Sequence, residues 1–222
     1  VGNWTLTDVD LKTTYGFEGI TFPNTQVAKS FQVFNSTTTS PAMTPTATSD
    51  WTAKSGNKIM VAFAATSAPW NNDWLISPQI QLTAGLGATL SLWAKGCDAE
   101  YGAEKFKVLV STTGTAVANF TAISPVVTTP SDATWHEYTY NLNAYSGQQV
   151  YIAIQCTSED QFGFAVDDFK VVTTPPATTA PGCTTLSAPA NSATGISITP
   201  TLTWAAATNA DSYDVYLDTN TD

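Results

Sequence analysis

The chain has 222 residues, 43% of them apolar and only 12% charged, and eighteen acids against eight basic residues leave a net charge of −10. There is no arginine, so the clustered cations that nucleic acid or an anionic membrane surface would require are absent, whereas an acidic excess suits divalent cations. No apolar run approaches the roughly 20 residues of a spanning helix, and no membrane insertion is expected.

Taken in chain order, short apolar or alternating runs recur between clusters of Gly, Pro, Asn and Thr. They predict strands at 31–34, 58–64, 74–81, 89–95, 105–111, 135–141, 149–156 and 164–172. Val108-Leu109-Val110 and Tyr151-Ile152-Ala153-Ile154 carry the β-branched enrichment of buried strands. No window shows a sustained helical stripe. Strands in this number with turn signals between them read as an all-β, two-sheet jelly-roll β-sandwich over residues 1–172. Residues 173–182 are rich in Pro and Thr and read as an extended linker. In 183–222, Thr201-Leu202-Thr203-Trp204 and Ser212-Tyr213-Asp214-Val215-Tyr216-Leu217 are similar to the opening strands of a fibronectin type III-like domain. Such a domain needs about a hundred residues, so this piece is expected to be a truncated part of one, with a third strand at 212–217. The chain begins at Val1 without an initiator Met, and a mature or excised piece of a longer protein is expected.

Three segments carry a more specific signal: Asn72-Asp73-Trp74-Leu75-Ile76-Ser77-Pro78-Gln79-Ile80, then Tyr101 to Gly114 with Lys105-Phe106-Lys107-Val108-Leu109-Val110-Ser111 inside it, then Phe164-Ala165-Val166-Asp167-Asp168-Phe169-Lys170-Val171. In this order and spacing the chain resembles the cleaved adhesin, or choice-of-anchor J, domains of secreted and surface proteins of the Bacteroidetes, which are themselves similar to MAM-type jelly rolls. The resemblance spans about Trp4 to Val172. It implies a secreted or cell-surface location and a non-catalytic binding module, found beside peptidases and polysaccharide-degrading enzymes. It also implies a structural calcium. Asp8 and Asp10 near the start, with Asp167 and Asp168 ahead of the last strand, are the candidate ligands. The first and last strands of jelly rolls are often neighbours, so these four could converge, and carboxylate oxygens suit Ca2+. Alternatively they cap strand ends and face water. The Asp-Gly-Asp-Gly loop of some members is missing here.

Asp98, Glu100 and Glu104 make a second acidic group, either solvated or a further cation site, and Glu104 could instead pair with Lys105 or Lys107. Trp74, Trp93 and Trp204 lie in strand patterns and are expected in the core, with Trp135 at its edge; Trp4, Trp51 and Trp70 have loop-like surroundings. Trp70 with Asn71 and Asn72, and Tyr101 beside Asp98, are the candidate ligand-binding residues, because exposed rings flanked by amides or carboxylates can hold sugars. Ordinary packing of loop onto sheet is the other reading. Cys97 and Cys156 each end a predicted strand, which leaves open a disulfide between them or two buried free thiols; Cys183 would pair beyond Asp222.

Catalysis is not expected. One histidine, His136, cannot supply a zinc site, and no Gly-x-Ser-x-Gly elbow is present. The expected function is a monomeric, calcium-stabilised adhesion module of a larger secreted or cell-surface multidomain protein, taking an extracellular protein or a glycan. The alternative is a carbohydrate-binding module attached to a polysaccharide-degrading enzyme.

Overall fold

The structure is a computed structural model that describes residues 2–175 and 181–216. The chain divides into two compact units, Val1–Thr174 and Pro175–Asp222.

In the first unit the strands are β1 (Thr5–Asp8), β2 (Gln32–Phe34), β3 (Ile59–Phe63), β4 (Asp73–Ile76), β5 (Ile80–Gln81), β6 (Gly87–Gly96), β7 (Lys105–Ser111), β8 (Thr121–Ala122), β9 (Val127–Thr128), β10 (His136–Asn141), β11 (Gln149–Cys156) and β12 (Gly163–Thr174). All pairings are antiparallel. One sheet runs β1-β4-β11-β7-β8, with β5 also on β11 and β9 also on β7; the other runs β10-β6-β12-β3-β2. The chain thus alternates between sheets as a jelly roll does. The predicted strand at 74–81 is broken into β4 and β5 at Ser77-Pro78, since proline cannot donate to a ladder.

The alternation read from sequence is realised where the two sheets face each other. Leu90, Leu92 and Ala94 of β6 meet Phe106, Val108 and Val110 of β7 and Val150, Ile152 and Ile154 of β11, all buried in one cluster. A second cluster holds Phe34, Trp51, Ile59, Val61, Phe63, Cys97 and Ala165, with Phe17 and Phe22 packed against it. Its members on β3 and β12 are out of step with those strands' residues in the main cluster, so it lies on the opposite face of the five-stranded sheet. Loop residues from 17 to 51 cover that face. A third cluster, Trp74, Ile76, Leu109 and Ala153, similarly backs the other sheet, with Phe120 and Val117 against it. Strands buried on both faces lose the alternation, which is why β4 is buried at every position.

Trp51, expected in a loop, is 2% exposed and stacks on Phe63 at 5.4 Å. Gly163 lies directly beneath it: a Cβ there would sit 2.4 Å from the Trp51 ring. Trp93, expected in the core, is only half-buried and carries the Lys54 ammonium over its ring at 3.9 Å. Trp4 packs edge-on against Phe169 at 5.0 Å.

Of the two alternatives left open for Cys97 and Cys156, the bridge is not made; both thiols are free and buried. Cys156 ends β11 in one sheet and belongs to the main core, whereas Cys97 follows β6 in the other sheet and belongs to the loop-covered cluster. Equivalent ends of strands in opposite sheets still direct these two side chains into different layers. Burial pushes both thiols up, away from the reactive thiolate.

In the second unit β13 (Leu186–Ala188) pairs with β14 (Thr203–Trp204). Tyr213 packs on Trp204 at 5.7 Å, and its hydroxyl oxygen accepts from Ala207 N–H. The expected strand at 212–217 does not form among its described residues, 212–216. Cys183 is free and exposed. Residues 176–180 of the expected linker lie outside the described residues.

Candidate functional site

Antiparallel pairing of β1 with β4 sets Asp8 opposite Asp73. The turn after β1 then brings Asp10 to the same place, and ligand oxygens of Asp8, Asp10 and Asp73 lie within 4.8 Å of one another. Asp8 Oδ1 accepts from Leu11 N–H at 2.7 Å; Asp10 accepts from Lys12 N–H at 3.0 Å and from Asn72 N–H at 2.7 Å. Asp73 is 2% exposed. One of its oxygens accepts from the Asn71 amide at 2.8 Å, and the other, Oδ1, is buried with no partner. Burial, then the charge of Asp10, push the Asp73 carboxyl from 3.8 up to about 8, against the pull of the Asn71 bond and with a further push from Asp8. Burial also raises Asp8, opposed by its Leu11 bond and reinforced by Asp10. A buried orphan oxygen beside two more carboxylates needs either a proton or a cation.

Asp167 and Asp168 do not join this group. They lie within β12, where the register slips between Asp167 and Lys170, and Asp168 adopts φ 46°. β12 pairs with β6 and β3, while β1 lies in the opposite sheet, so the first and last strands are not neighbours. Asp167 instead accepts from Lys54 N–H at 3.0 Å and Ser55 N–H at 3.3 Å, and Asp168 accepts from the Ser55 hydroxyl. These two acids fasten a loop to the bulge. Among the described residues, the group of three that could hold an ion is Asp8, Asp10 and Asp73. Sequence reasoning missed Asp73, although a carboxylate heading the apolar Trp74-Leu75-Ile76 was a visible signal.

A cleft of about 680 Å3 opens between four loops of the first unit. Its walls are Tyr15, Gly16, Phe17, Glu18 and Ile20 from the loop after β1, Met43 and Ser49 from the loop after β2, Asp98, Glu100 and Tyr101 between β6 and β7, and Asp160, Gln161 and Phe162 between β11 and β12. Tyr101 is 57% exposed, and its ring leans on Phe162 at 5.0 Å. The walls are tied together. Tyr15 donates its hydroxyl proton to Asp160 at 2.9 Å, the Thr48 hydroxyl donates to Glu100 at 3.2 Å, and Ser49 bridges to Asp98. Glu104 belongs behind the cleft rather than in it. It is buried, and Oε1 accepts from Gly163 N–H at 2.7 Å and Phe162 N–H at 3.2 Å. Burial raises it to about 7, against the bonds from Ser158, Gly163 and Phe162. It pairs with neither Lys105 nor Lys107; Lys105 takes Glu159 at 3.2 Å.

Trp70, Asn71 and Asn72 do not share this cleft with Tyr101. Asn71 is 5% exposed, and its amide is spent on Ala65 N–H, the Phe63 carbonyl and Asp73. The Asn72 side-chain oxygen already accepts from Trp74 Nε1 at 2.7 Å and Gln155 Nε2 at 2.8 Å. The Asn71 amide thus fastens the acidic cluster, and the Asn72 side-chain oxygen fastens β4 to β11. Trp70 remains half-buried. His136 is bound to Asp132 at 2.9 Å, and neither residue lines the cleft.

Residues 33–171 match the Cleaved Adhesin Domain family. Among solved structures, the K2 cleaved adhesin domain of Lys-gingipain is 19% identical with a TM-score of 0.50, covering 77% of this chain and 89% of that one. The K3 domain of the same protein from Porphyromonas gingivalis is 20% identical with a TM-score of 0.46, covering 64% of this chain and 91% of that one. TmCBM61, solved with β-1,4-galactotriose, is 14% identical with a TM-score of 0.42, covering 78% of this chain and 90% of that one. Among curated proteins none matches.

Proposed function

The chain belongs to the cleaved adhesin domain family, and on that premise we propose that it is a non-catalytic, calcium-stabilised adhesion module of a larger secreted or cell-surface multidomain protein. Its ligand is seated in the cleft around Tyr101. The observation that carries this reading is the exposed Tyr101 ring on walls that are fastened from behind. An aromatic surface left in water at the mouth of a pre-shaped cleft is what a binding site retains and a spacer does not need. No described helix is long and apolar enough to cross a membrane.

Calcium belongs to Asp8, Asp10 and Asp73 in this reading. The buried, partnerless Asp73 Oδ1 fits a hard divalent cation, which would relieve the repulsion among the three acids and hold the end of β1 to β4. The ion would act on stability and loop order, and the acids themselves place the turn after β1.

The ligand is an extracellular protein. A glycan, with the chain serving a polysaccharide-degrading enzyme, is the second reading; it is favoured by the exposed ring of Tyr101 beside the polar Ser49 and Gln161. Binding of the wild-type chain to immobilised matrix proteins and to a glycan array, repeated with Tyr101→Ala and Trp70→Ala, tests both. Loss on Tyr101→Ala with retention on Trp70→Ala supports the cleft and identifies the ligand class. Retention in both variants places binding elsewhere and rejects the reading.

A further inference from the structure

The ligand class can be narrowed from the cleft's charge, an inference that rests on the cleft being the binding site. Four carboxylates, Glu18, Asp98, Glu100 and Asp160, line it, and none of the eight lysines does. Among the described residues no ion pair engages any of the four; the pairs are Lys95–Asp50, Lys105–Glu159 and His136–Asp132. Glu18, Glu100 and Asp160 are exposed. Between these charges the walls are apolar and aromatic: Phe17, Ile20, Met43, Tyr101 and Phe162.

From this arrangement we infer that the cleft receives a basic segment of a partner protein, with a lysine or arginine side chain entering it. The methylene stem of such a side chain would lie on Met43, Ile20 and Phe162 while its cationic head meets the carboxylates and the Tyr101 ring. A single metal ion is the poorer match. An ion needs oxygens drawn together, and the described acids that converge on one point are Asp8, Asp10 and Asp73, elsewhere in the unit. An acidic sugar would be repelled by all four charges. A neutral sugar would leave them uncompensated in a partly closed site, whereas several cations spaced along a peptide can answer carboxylates spaced around a rim. The chain's net charge of −10 adds a long-range attraction for such a partner.

The test is fluorescence polarisation with the full 222-residue chain in buffered calcium. The probes are a labelled octapeptide alternating Lys and Gly and one alternating Gln and Gly. The basic peptide is expected to bind in a saltable manner and the neutral one at least about tenfold more weakly, since close charge pairs set selectivity. Glu18→Gln/Glu100→Gln is expected to weaken the basic peptide about tenfold and Tyr101→Ala about threefold, as two charge contacts and one cation–π contact would. Glu137→Gln/Asp214→Asn removes the same net charge elsewhere and is expected to stay within about twofold of wild type. Equal weakening by both double variants would mean a diffuse field rather than a site and would overturn the inference, as would no preference for the basic peptide. If matrix-protein or glycan binding is lost in Tyr101→Ala while the basic peptide is ignored, the cleft stands and only the cationic ligand fails. If nothing depends on Tyr101, both fail.

Discussion

Two acidic regions of the first unit show how one residue type yields opposite chemistry. At Asp8, Asp10 and Asp73, strand pairing forces carboxylates together, and burial raises Asp73 to about 8. In the cleft, Glu18, Asp98, Glu100 and Asp160 are spread over three loops around an opening of about 680 Å3, and three of the four are exposed. In the proposed reading, convergence with burial suits one small divalent ion, and dispersal around an aromatic wall suits a larger ligand. Charge count alone would not tell them apart; the spacing of the oxygens and their access to water do.

The largest effect expected is that of calcium on the first region. At a concentration about a hundredfold above Kd, calcium would stabilise the fold by about 2.7 kcal/mol. For a protein of this size that raises Tm by about 5–10 °C in scanning calorimetry, with chelator reversing it. Asp73→Asn should abolish the calcium shift while leaving the chelated protein as stable as wild type or more so, because it replaces an acid whose ionisation is opposed by burial and by Asp10. A chelated Asp73→Asn protein that melts well below chelated wild type would show the carboxylate to be needed without metal.

The same group sets a pH dependence. Asp73 holds its proton far more tightly in the folded chain than at the ordinary 3.8, up to about 8. Without metal, stability is therefore fully present below about 4 as far as Asp73 is concerned and falls as pH rises through 4 to 8. Glu104, raised from 4.5 to about 7, contributes in the same direction over the lower part of that window. Calcium bound there would displace the Asp73 proton, so its apparent affinity should rise about tenfold per pH unit up to about 8 and level off above it. Calorimetric titrations at pH 5, 6, 7 and 8 would read this slope; a flat affinity would take Asp73 out of the ligand set.

The cysteines offer a contrast of burial that is read chemically. Cys183 is exposed and should react with a thiol reagent at once, whereas Cys97 and Cys156 should label only on unfolding, and reductant should leave Tm unchanged. A mass lower by two hydrogens in the oxidised protein would restore the bridge that the two-layer burial argues against. The smallest effect belongs to the cleft: Glu18→Gln/Glu100→Gln should move Tm by no more than about 1 °C, since exposed charges contribute little to stability. A large loss would make those acids structural and the cleft an incidental gap.

Much of the first unit was legible in its sequence. The alternation of Leu90, Leu92 and Ala94 and the apolar runs around Val108 and Ile152 located the long strands, because side-chain direction in a strand is a local property of period two. Asp8 and Asp10 were legible as ligand candidates, but Asp167 and Asp168 were wrongly joined to them, and Asp73 was passed over. Trp51 looked like a loop residue, since nothing local announces that a loop will fold back over a sheet's outer face. Asn71 and Asn72 were ligand candidates for the same reason, although tertiary contacts take up the Asn71 amide and the Asn72 side-chain oxygen.

By itself, then, the sequence determined an all-β chain, the positions of its principal strands and an acidic surface without arginine, since propensity, periodicity and charge are summed along neighbouring residues. Only the tertiary structure decided that Asp8 meets Asp73, that Asp167 binds a loop instead, that Cys97 and Cys156 lie in different layers, and that Tyr101 stays exposed among four acids that no described ion pair engages. Those outcomes depend on which strands become neighbours and in what register, a long-range choice made by the burial of the whole core rather than by any segment of it.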